Sequence, residues 1–212
     1  MTTGATFLKE TAPAAEGLFK LLNQYGWQKM RAWAERSKSQ TRAEFDQRHT
    51  EFEANDIARE VIAGSILQLA YMGLKQHSLP WPKSPEAVAF ENGMNDIIAQ
   101  LRKPRVEEFS LPEEWCIGRS IGNLPLGVVV YAGRNHYNHV DEKRLSTLNE
   151  VVFNHLHVLE PHPGNGLSFD LSDGKRHRSY SVLWVLGWTD TVSGVGYPKY
   201  LKDMSHALRA EI

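Results

Sequence analysis

The chain has 212 residues, a formal net charge of −1 and a single cysteine. A chain of this length buries a core without disulfides or bound metal, so one domain with at most a small accessory lobe is expected. The near-zero charge argues against a protein that coats nucleic acid through bulk charge, although it does not exclude a local basic cleft. Cys116 alone excludes a disulfide framework, and its apolar setting indicates a buried, inert thiol.

The N-terminal residues MTTGATFLKETAPAAEG lack the basic segment and apolar core of a signal peptide. The apolar runs PLGVVVYAG and SVLWVLGW are too short to cross a bilayer. A cytoplasmic protein without membrane contact is therefore expected. Two locally basic stretches, at residues 29–48 and 175–178, are most simply a solvated helix face and a charged hairpin turn.

Apolar residues recur at helical spacing along the first half of the chain and predict three helices. The first runs from about residue 14 to 35. The second runs from about 42 to 75, where Thr41 and Glu44 fit a capping box. The proline-rich stretch HSLPWPKSP ends this second helix. A third helix is predicted from about 86 to 101.

The apolar stretch LPLGVVVYAG is more ambiguous, because Val128 to Tyr131 has strand propensity. It lacks the period-two alternation of a half-buried strand, and Pro125 suits a first helical turn. A helix from about 124 to 138 is therefore predicted. Asp141 is the predicted cap of a further helix, which ends near His157.

The pattern changes after PHPGNG. Two apolar, aromatic-rich runs, GLSFDL and RSYSVLWVLGW, flank SDGK, and Asp173-Gly174 between them predicts a β-hairpin. A short helix over residues 197–208 is then predicted. The expected fold class is mainly α. A helical bundle over residues 1–160 carries a small β-hairpin and terminal helix, at 161–212, packed on it as part of the same domain.

The hexapeptide RNHYNH, residues 134–139, places phosphate-handling side chains at one helix end. On a helix Asn135 and His139 share a face, and Arg134 lies about 100° around from Asn135. A guanidinium donates paired, charge-assisted hydrogen bonds to a phosphate and keeps its proton. An imidazole exchanges protons near neutral pH, which suits general acid-base catalysis. Together these groups can hold a phosphodiester and move protons around it.

This hexapeptide resembles the R-x4-H motif of the HEPN (higher eukaryotes and prokaryotes nucleotide-binding) superfamily, in the form with asparagine directly after arginine. The resemblance covers the motif and, loosely, the helix order from about residue 14 to 158. It implies a HEPN-like helical bundle with metal-independent endoribonuclease activity, a hydrolase of the toxin or defence type that needs no cofactor. It also implies a homodimer in which two motifs meet in one composite cleft.

Carried over by residue, the resemblance implies that Arg134 stabilises the charge on the phosphorane and that Asn135 positions the phosphate or the catalytic histidine. His139 is then the general acid or base for attack of the ribose 2′-hydroxyl on the adjacent phosphate. RNA or a nucleotide is the implied partner, and the family also has cognate antitoxins and sensor proteins. Some toxin members carry a modified tyrosine where this chain has Asp141, so that mode of neutralisation is not supported.

The other residues of the hexapeptide have simpler interpretations beside the functional ones. His136 and Tyr137 either stack on RNA bases or pack, for example at a dimer seam. Asn138 is most simply a C-cap in the left-handed conformation. His139 by itself would be explained by the carbonyls and dipole of the helix end.

Three acidic residues of the second helix usually mark a solvated face: Glu53, Asp56 and Glu60. One of them would alternatively orient Arg134 from the neighbouring helix.

Two other functions stay open beside the ribonuclease. A HEPN-like scaffold would hold a nucleotide or a partner's phosphate in the same cleft without cleaving it. A DinB-like metal bundle would need three histidines from separate helices, such as His49 or His77 with His139 or His155. His155 and His157 are two apart and face different directions on a helix, so no i, i+4 zinc pair joins them and no metal site is expected.

Overall fold

The computed structural model describes residues 3–79, 81–100, 109–139, 146–159, 169–171, 178–189 and 196–210. These residues are mostly helical, with one short two-stranded sheet, which confirms the mainly α class. In chain order the elements are α1 Gly4–Arg36, α2 Arg42–His77, α3 Pro85–Gln100, a 3₁₀ helix Glu113–Trp115, β1 Ser120–Ile121, β2 Leu124–Pro125, α4 Leu126–Asn138, α5 Thr147–Leu159, α6 Ser179–Val185 and α7 Gly196–Ala207.

α1 and α2 form a long antiparallel helix hairpin. The ring of Phe7 lies 5.1 Å from that of His77 near one end, and Lys29 Nζ lies 2.5 Å from Asp56 Oδ1 towards the other. α2 begins at the predicted capping box, in which the Thr41 hydroxyl accepts from the backbone N–H of Glu44 and the Thr41 N–H donates to the Glu44 carboxylate. α1 begins at residue 4, earlier than the sequence pattern predicts.

α4 lies at the centre of the core. Every residue from Leu126 to Val130 is buried, and the helix packs against α2, α5 and α6. A helix that is covered on all sides has no polar face, which explains why its sequence shows no clear period. Gly127 lies against the backbone carbonyl of Trp115, where a Cβ would overlap the oxygen. The predicted helix is thus confirmed, with its start at Leu126.

The predicted C-terminal β-hairpin is wrong. Its second run forms helix α6, Ser179–Val185, while residues 172–177, which contain Asp173-Gly174, lie outside the described residues. α6 packs against α2 and α4 and buries Val182 and Leu183. Tertiary packing therefore overrides the strand propensity of these apolar residues, a common outcome for short β-favouring runs.

The strands that the described residues do form lie just before α4. Ser120 pairs with Pro125 and Ile121 with Leu124 in an antiparallel register. The turn between them holds Gly122 and Asn123, both at positive φ (52° and 71°), which is the geometry of a tight hairpin. This small hairpin sets the direction in which α4 enters the core.

The remaining helices agree with the sequence pattern. α3 and α7 match their predicted spans within a few residues. α5 spans Thr147–Leu159, and its predicted cap, Asp141, lies outside the described residues. α7 packs on α1 and α2. Among the described helices α2 alone is long and apolar enough to span a membrane by composition, but half of its most apolar window is buried inside the fold, as in the core helix of a globular domain.

The buried carboxylate of Asp203 connects three segments that are far apart in the chain. Arg119 donates from Nε and Nη2 to the two oxygens of Asp203, at 2.9 and 3.0 Å, and Nη2 also donates to the carbonyl of Leu186 at 2.7 Å. The indole N–H of Trp188 donates to the same carboxylate at 2.9 Å. This clamp connects the segment before β1 with α7 and with the segment after α6.

Candidate active site

The RNHYNH hexapeptide lies at the C-terminal end of α4, with His139 as the C-cap residue. α4 runs antiparallel to α2, because Tyr131 lies beside Tyr71 while Tyr137 lies against Gly64. Gly64 is required for this approach, since a Cβ at that position would overlap the Tyr137 ring. The tyrosine and the glycine thus fix the height of the hexapeptide on α2.

Arg134 is held by three neighbours. Its guanidinium carbon lies 4.3 Å from the centre of the Tyr71 ring, and Nε donates to Oε1 of Gln68 at 2.9 Å. With the Asn138 amide oriented to satisfy both groups, its oxygen accepts from Nε and Nη2 at 3.0 and 2.9 Å. Stacking on the tyrosine ring and hydrogen bonds to the two amide oxygens orient the guanidinium while leaving its charge intact.

The charge of Arg134 is available for an anion. No carboxylate of the described residues forms a salt bridge with it, and its Nη1 amino group makes no hydrogen bond within the described part of the chain. The side chain is half-buried, so an approaching phosphate would meet a cation whose rotamer is already fixed. Such a guanidinium suits paired hydrogen bonding to two phosphate oxygens.

The three carboxylates named as alternative partners of Arg134 make their contacts elsewhere. Glu53 pairs with His49, Asp56 with Lys29 and Arg59, and Glu60 accepts from the backbone N–H of Tyr180. Arg134 lies level with Gln68, whereas the nearest of the three carboxylates is eight residues further down α2, about 12 Å at 1.5 Å per residue. Neutral amides orient the arginine instead.

Gln68, Tyr71 and Asn138 are the site residues that the sequence interpretation missed. Asn138 stands four residues after Arg134, and this i, i+4 spacing on one helix was a usable signal. Gln68 and Tyr71 stand three apart on one face of α2, but nothing in the sequence indicates which helix α4 packs against. The predicted left-handed C-cap at Asn138 is wrong, because it is the last helical residue and its φ is not positive.

His136 and Tyr137 pack inside the chain. His136 is 7% exposed and its ring meets that of Phe153 edge to face, with centroids 5.2 Å apart. Tyr137 lies on Gly64. The prediction that His136 stacks on RNA bases is therefore wrong, since a base cannot reach a ring that the core covers.

Asn135 and His139 lie at the outer end of the helix. Asn135 is half-buried and its carbonyl accepts from the N–H of His139 at 3.1 Å, while the His139 side chain is exposed. Five residues of helix correspond to about 140° of rotation between Arg134 and His139. Arg134 is turned towards α2, so within one chain the arginine and the histidine leave α4 in different directions.

Glu60 is the most perturbed carboxyl of the neighbouring helix. Its burial raises its pKa to about 7, although the backbone N–H groups of Tyr180 and Ser179 and the cation of Arg59 act in the opposite direction. The carboxyl receives the first N–H groups of α6, so it connects α2 to that helix. Burial likewise raises the pKa of the free Cys116 thiol, as expected for an inert cysteine.

The histidines named for a metal bundle are dispersed. His49 contacts Arg36 near the α1–α2 turn, His77 lies at the other end of α2, and the ring of His155 contacts the Gly122 carbonyl. Within the described ranges no three His, Cys, Asp or Glu side chains are grouped so that they could hold a metal ion.

Comparison of the chain with protein-family models, with curated proteins and with solved structures gives no match. Its function is therefore inferred from the residues at the end of α4 and their contacts.

Proposed function

We propose that this protein is a HEPN-type, metal-independent endoribonuclease that works in the cytoplasm as a homodimer. The observation that supports the proposal is Arg134, fixed by Tyr71, Gln68 and Asn138 with no carboxylate partner among the described residues. An oriented and un-neutralised guanidinium at a helix end is suited to a phosphodiester. His139, exposed at the same helix end, supplies the acid-base group.

A second copy of the chain completes this site. Because Arg134 and His139 diverge around α4, one protomer does not direct both side chains at one phosphate. When two α4 ends meet, the arginine and asparagine of one chain face the histidine of the other. Each cleft then holds Arg134 and Asn135 of one protomer with His139 of the other.

The proposed reaction needs only these side chains. Neutral His139 removes the proton of the ribose 2′-hydroxyl, whose oxygen attacks the adjacent phosphorus. Arg134 stabilises the added negative charge of the phosphorane. The bond to the 5′-oxygen then breaks, and that oxygen takes the proton back from the same His139. The products are a 2′,3′-cyclic phosphate end and a 5′-hydroxyl end.

Cleavage of RNA in the presence of EDTA tests the proposal. His139→Ala is expected to lower the rate by roughly 10²- to 10⁴-fold, because a general acid-base group is lost. Arg134→Lys keeps the charge but loses the paired donors, so a large loss is expected there too. His206→Ala, an exposed histidine of α7, is the matched control and should cleave like the wild type. Equal cleavage by all four proteins would exclude the assignment.

A second candidate is a scaffold of the same type that binds a nucleotide or a partner's phosphate without cleaving it. The divergence of Arg134 and His139 within one chain favours it, because binding needs the arginine alone. Calorimetry with nucleotides distinguishes the two functions. Saturable binding that is lost in Arg134→Ala, together with intact RNA, selects the scaffold. A toxin or defence role, with a cognate antitoxin or sensor, belongs to the ribonuclease proposal.

A further inference from the structure

The α1–α2 hairpin reaches beyond the helices that pack on it. On α1, Phe19 contacts Tyr197 and Tyr200 of α7. On α2, Gly64 contacts α4 and Glu60 contacts the start of α6. Residues 26–57, which continue from these points to the turn and back, are called the outer hairpin.

One side of the outer hairpin is apolar and exposed. Trp27, Met30 and Trp33 are 62%, 53% and 53% exposed and follow one another every three residues on α1, while Ile57 on α2 is 59% exposed. These four residues are called the outer face.

The outer face continues the side of the α1–α2 hairpin that α4, α6 and α7 cover nearer its base. Met30 stands eleven residues after Phe19, about three helical turns, so both lie on the same side of α1. Ile57 stands seven residues before Gly64, about two turns, so both lie on the same side of α2. The covered side near the base thus becomes the exposed side further out.

The charges of the outer hairpin balance. Its sequence holds six cations and six anions: Lys29, Arg31, Arg36, Lys38, Arg42 and Arg48 against Glu35, Glu44, Asp46, Glu51, Glu53 and Asp56. Many of them pair with each other, as Arg31 does with Glu35 and Arg42 with Asp46. A neutral element attracts neither a phosphate polymer nor an anionic bilayer at long range, and two neutral elements do not repel each other.

The exposed apolar area suits a protein partner. An aromatic side chain buries about 150–250 Å², so the two half-exposed tryptophans, the methionine and the isoleucine present roughly 500 Å². A soluble monomer rarely exposes more than a few hundred Å² in one apolar patch. A standard interface covers about 800 Å² on each partner, which the outer face approaches once its charged margin is included.

We propose that a second copy of this chain docks on the outer face, so that two hairpins pack face to face around a two-fold axis as a four-helix bundle. The outer face lies beside the candidate site, because Tyr137 packs on Gly64, about 10 Å along α2 from Ile57. As the partner surface of the composite site, this assignment rests on the proposed function. As a dimer surface, it rests on the exposure of its four residues.

Light scattering over a concentration series measures the association. The wild type should be a dimer at roughly 100 µM, and Met30→Glu with Trp33→Glu should weaken dimerisation at least about tenfold, because buried charges replace the central apolar contacts. Val158→Glu is the matched control, since this valine of α5 is 76% exposed and lies outside the outer face. It should remain a dimer.

Crosslinking gives a readout that does not depend on a disruptive variant. Cys116 is buried, so Met30→Cys adds one exposed thiol to the chain. A short bismaleimide should join Met30→Cys into covalent dimers and should leave Val158→Cys and the wild type monomeric on a denaturing gel.

Three outcomes overturn the proposal: a monomeric wild type, a dimer that persists in the double variant, or a monomer that binds RNA or anionic vesicles through the outer face. A dimer that the double variant dissociates but that never cleaves RNA removes the proposed function and leaves the dimer surface standing. RNA cleavage by a dimer that persists in the double variant supports the proposed function and removes the outer face as the dimer surface.

Discussion

The two halves of α2 are held in different ways. Between residues 59 and 74 most positions of the helix are buried, whereas none between 42 and 57 is. The inner half is stabilised by packing against α1, α4 and α6. The outer half depends on its capping box, on i, i+4 ion pairs and on its contact with α1. The inner half therefore fixes the candidate site, while the outer half is free to serve as a surface.

The largest expected contrast comes from truncating one apolar residue in each half. Leu67→Ala should lower the free energy of unfolding by about 2–5 kcal/mol, because Leu67 is fully buried and its loss leaves a cavity. Ile57→Ala should change it by less than about 0.5 kcal/mol, since the side chain is mostly exposed. Urea unfolding of both variants below the concentration of dimerisation checks the comparison. Equal losses would show that the outer half is also packed.

Glu60 connects the inner half to α6, and its ionisation gives a pH dependence. Its pKa is about 7 when folded and 4.5 when unfolded, so the folded state holds a proton that the unfolded state releases between these values. The stability it contributes is complete below pH 4.5 and is lost as the pH rises through 7. Glu60→Gln resembles the protonated form and should be more stable than the wild type at pH 8 by about 1–3 kcal/mol.

The difference between Glu60→Gln and the wild type should vanish near pH 5. The charges of Asp56, Arg59 and Lys29 also act on the Glu60 carboxyl. Glu53→Gln, which removes an exposed carboxyl of the same helix, is the control and should show no such trend. A Glu60→Gln protein less stable than the wild type at pH 8 would indicate that the anion itself is needed to bind the start of α6.

The smallest effect is expected at the capping box of the outer half. Thr41→Ala removes the oxygen that accepts from the Glu44 N–H at 3.2 Å and should cost about 1 kcal/mol. Because the outer half has no buried residues, the loss should be local. Hydrogen exchange should accelerate at residues 42–57 and stay unchanged at 62–74. Uniform acceleration along α2 would contradict the division into two halves.

The sequence was sufficient for elements whose cause is local. The capping box of α2 and the proline at the start of α4 act within a few residues, and both boundaries lie close to their predicted positions. α6 was mistaken for a strand because its first N–H groups are bound by Glu60, 120 residues away. Only the tertiary fold brings that carboxyl to the helix start.

The same distinction separates the parts of the candidate site. Arg134, Asn135 and His139 form a short motif that the sequence shows directly. The groups that fix the arginine include Gln68, which is 66 residues away and belongs to another helix. Only the antiparallel packing of α4 on α2 brings these groups to Arg134. The role of the motif in RNA cleavage stays a prediction that the EDTA assay tests.

The clamp between Arg119 and Asp203 has a consequence for the order of folding. Its partners are 84 residues apart, so the clamp can close only after α7 has been synthesised. The α1–α2 hairpin joins neighbouring helices through a short turn and can form much earlier, because local contacts need little loop closure. A nascent chain therefore exposes the outer face before the rest of its fold is complete, so the proposed dimer can begin to form during synthesis.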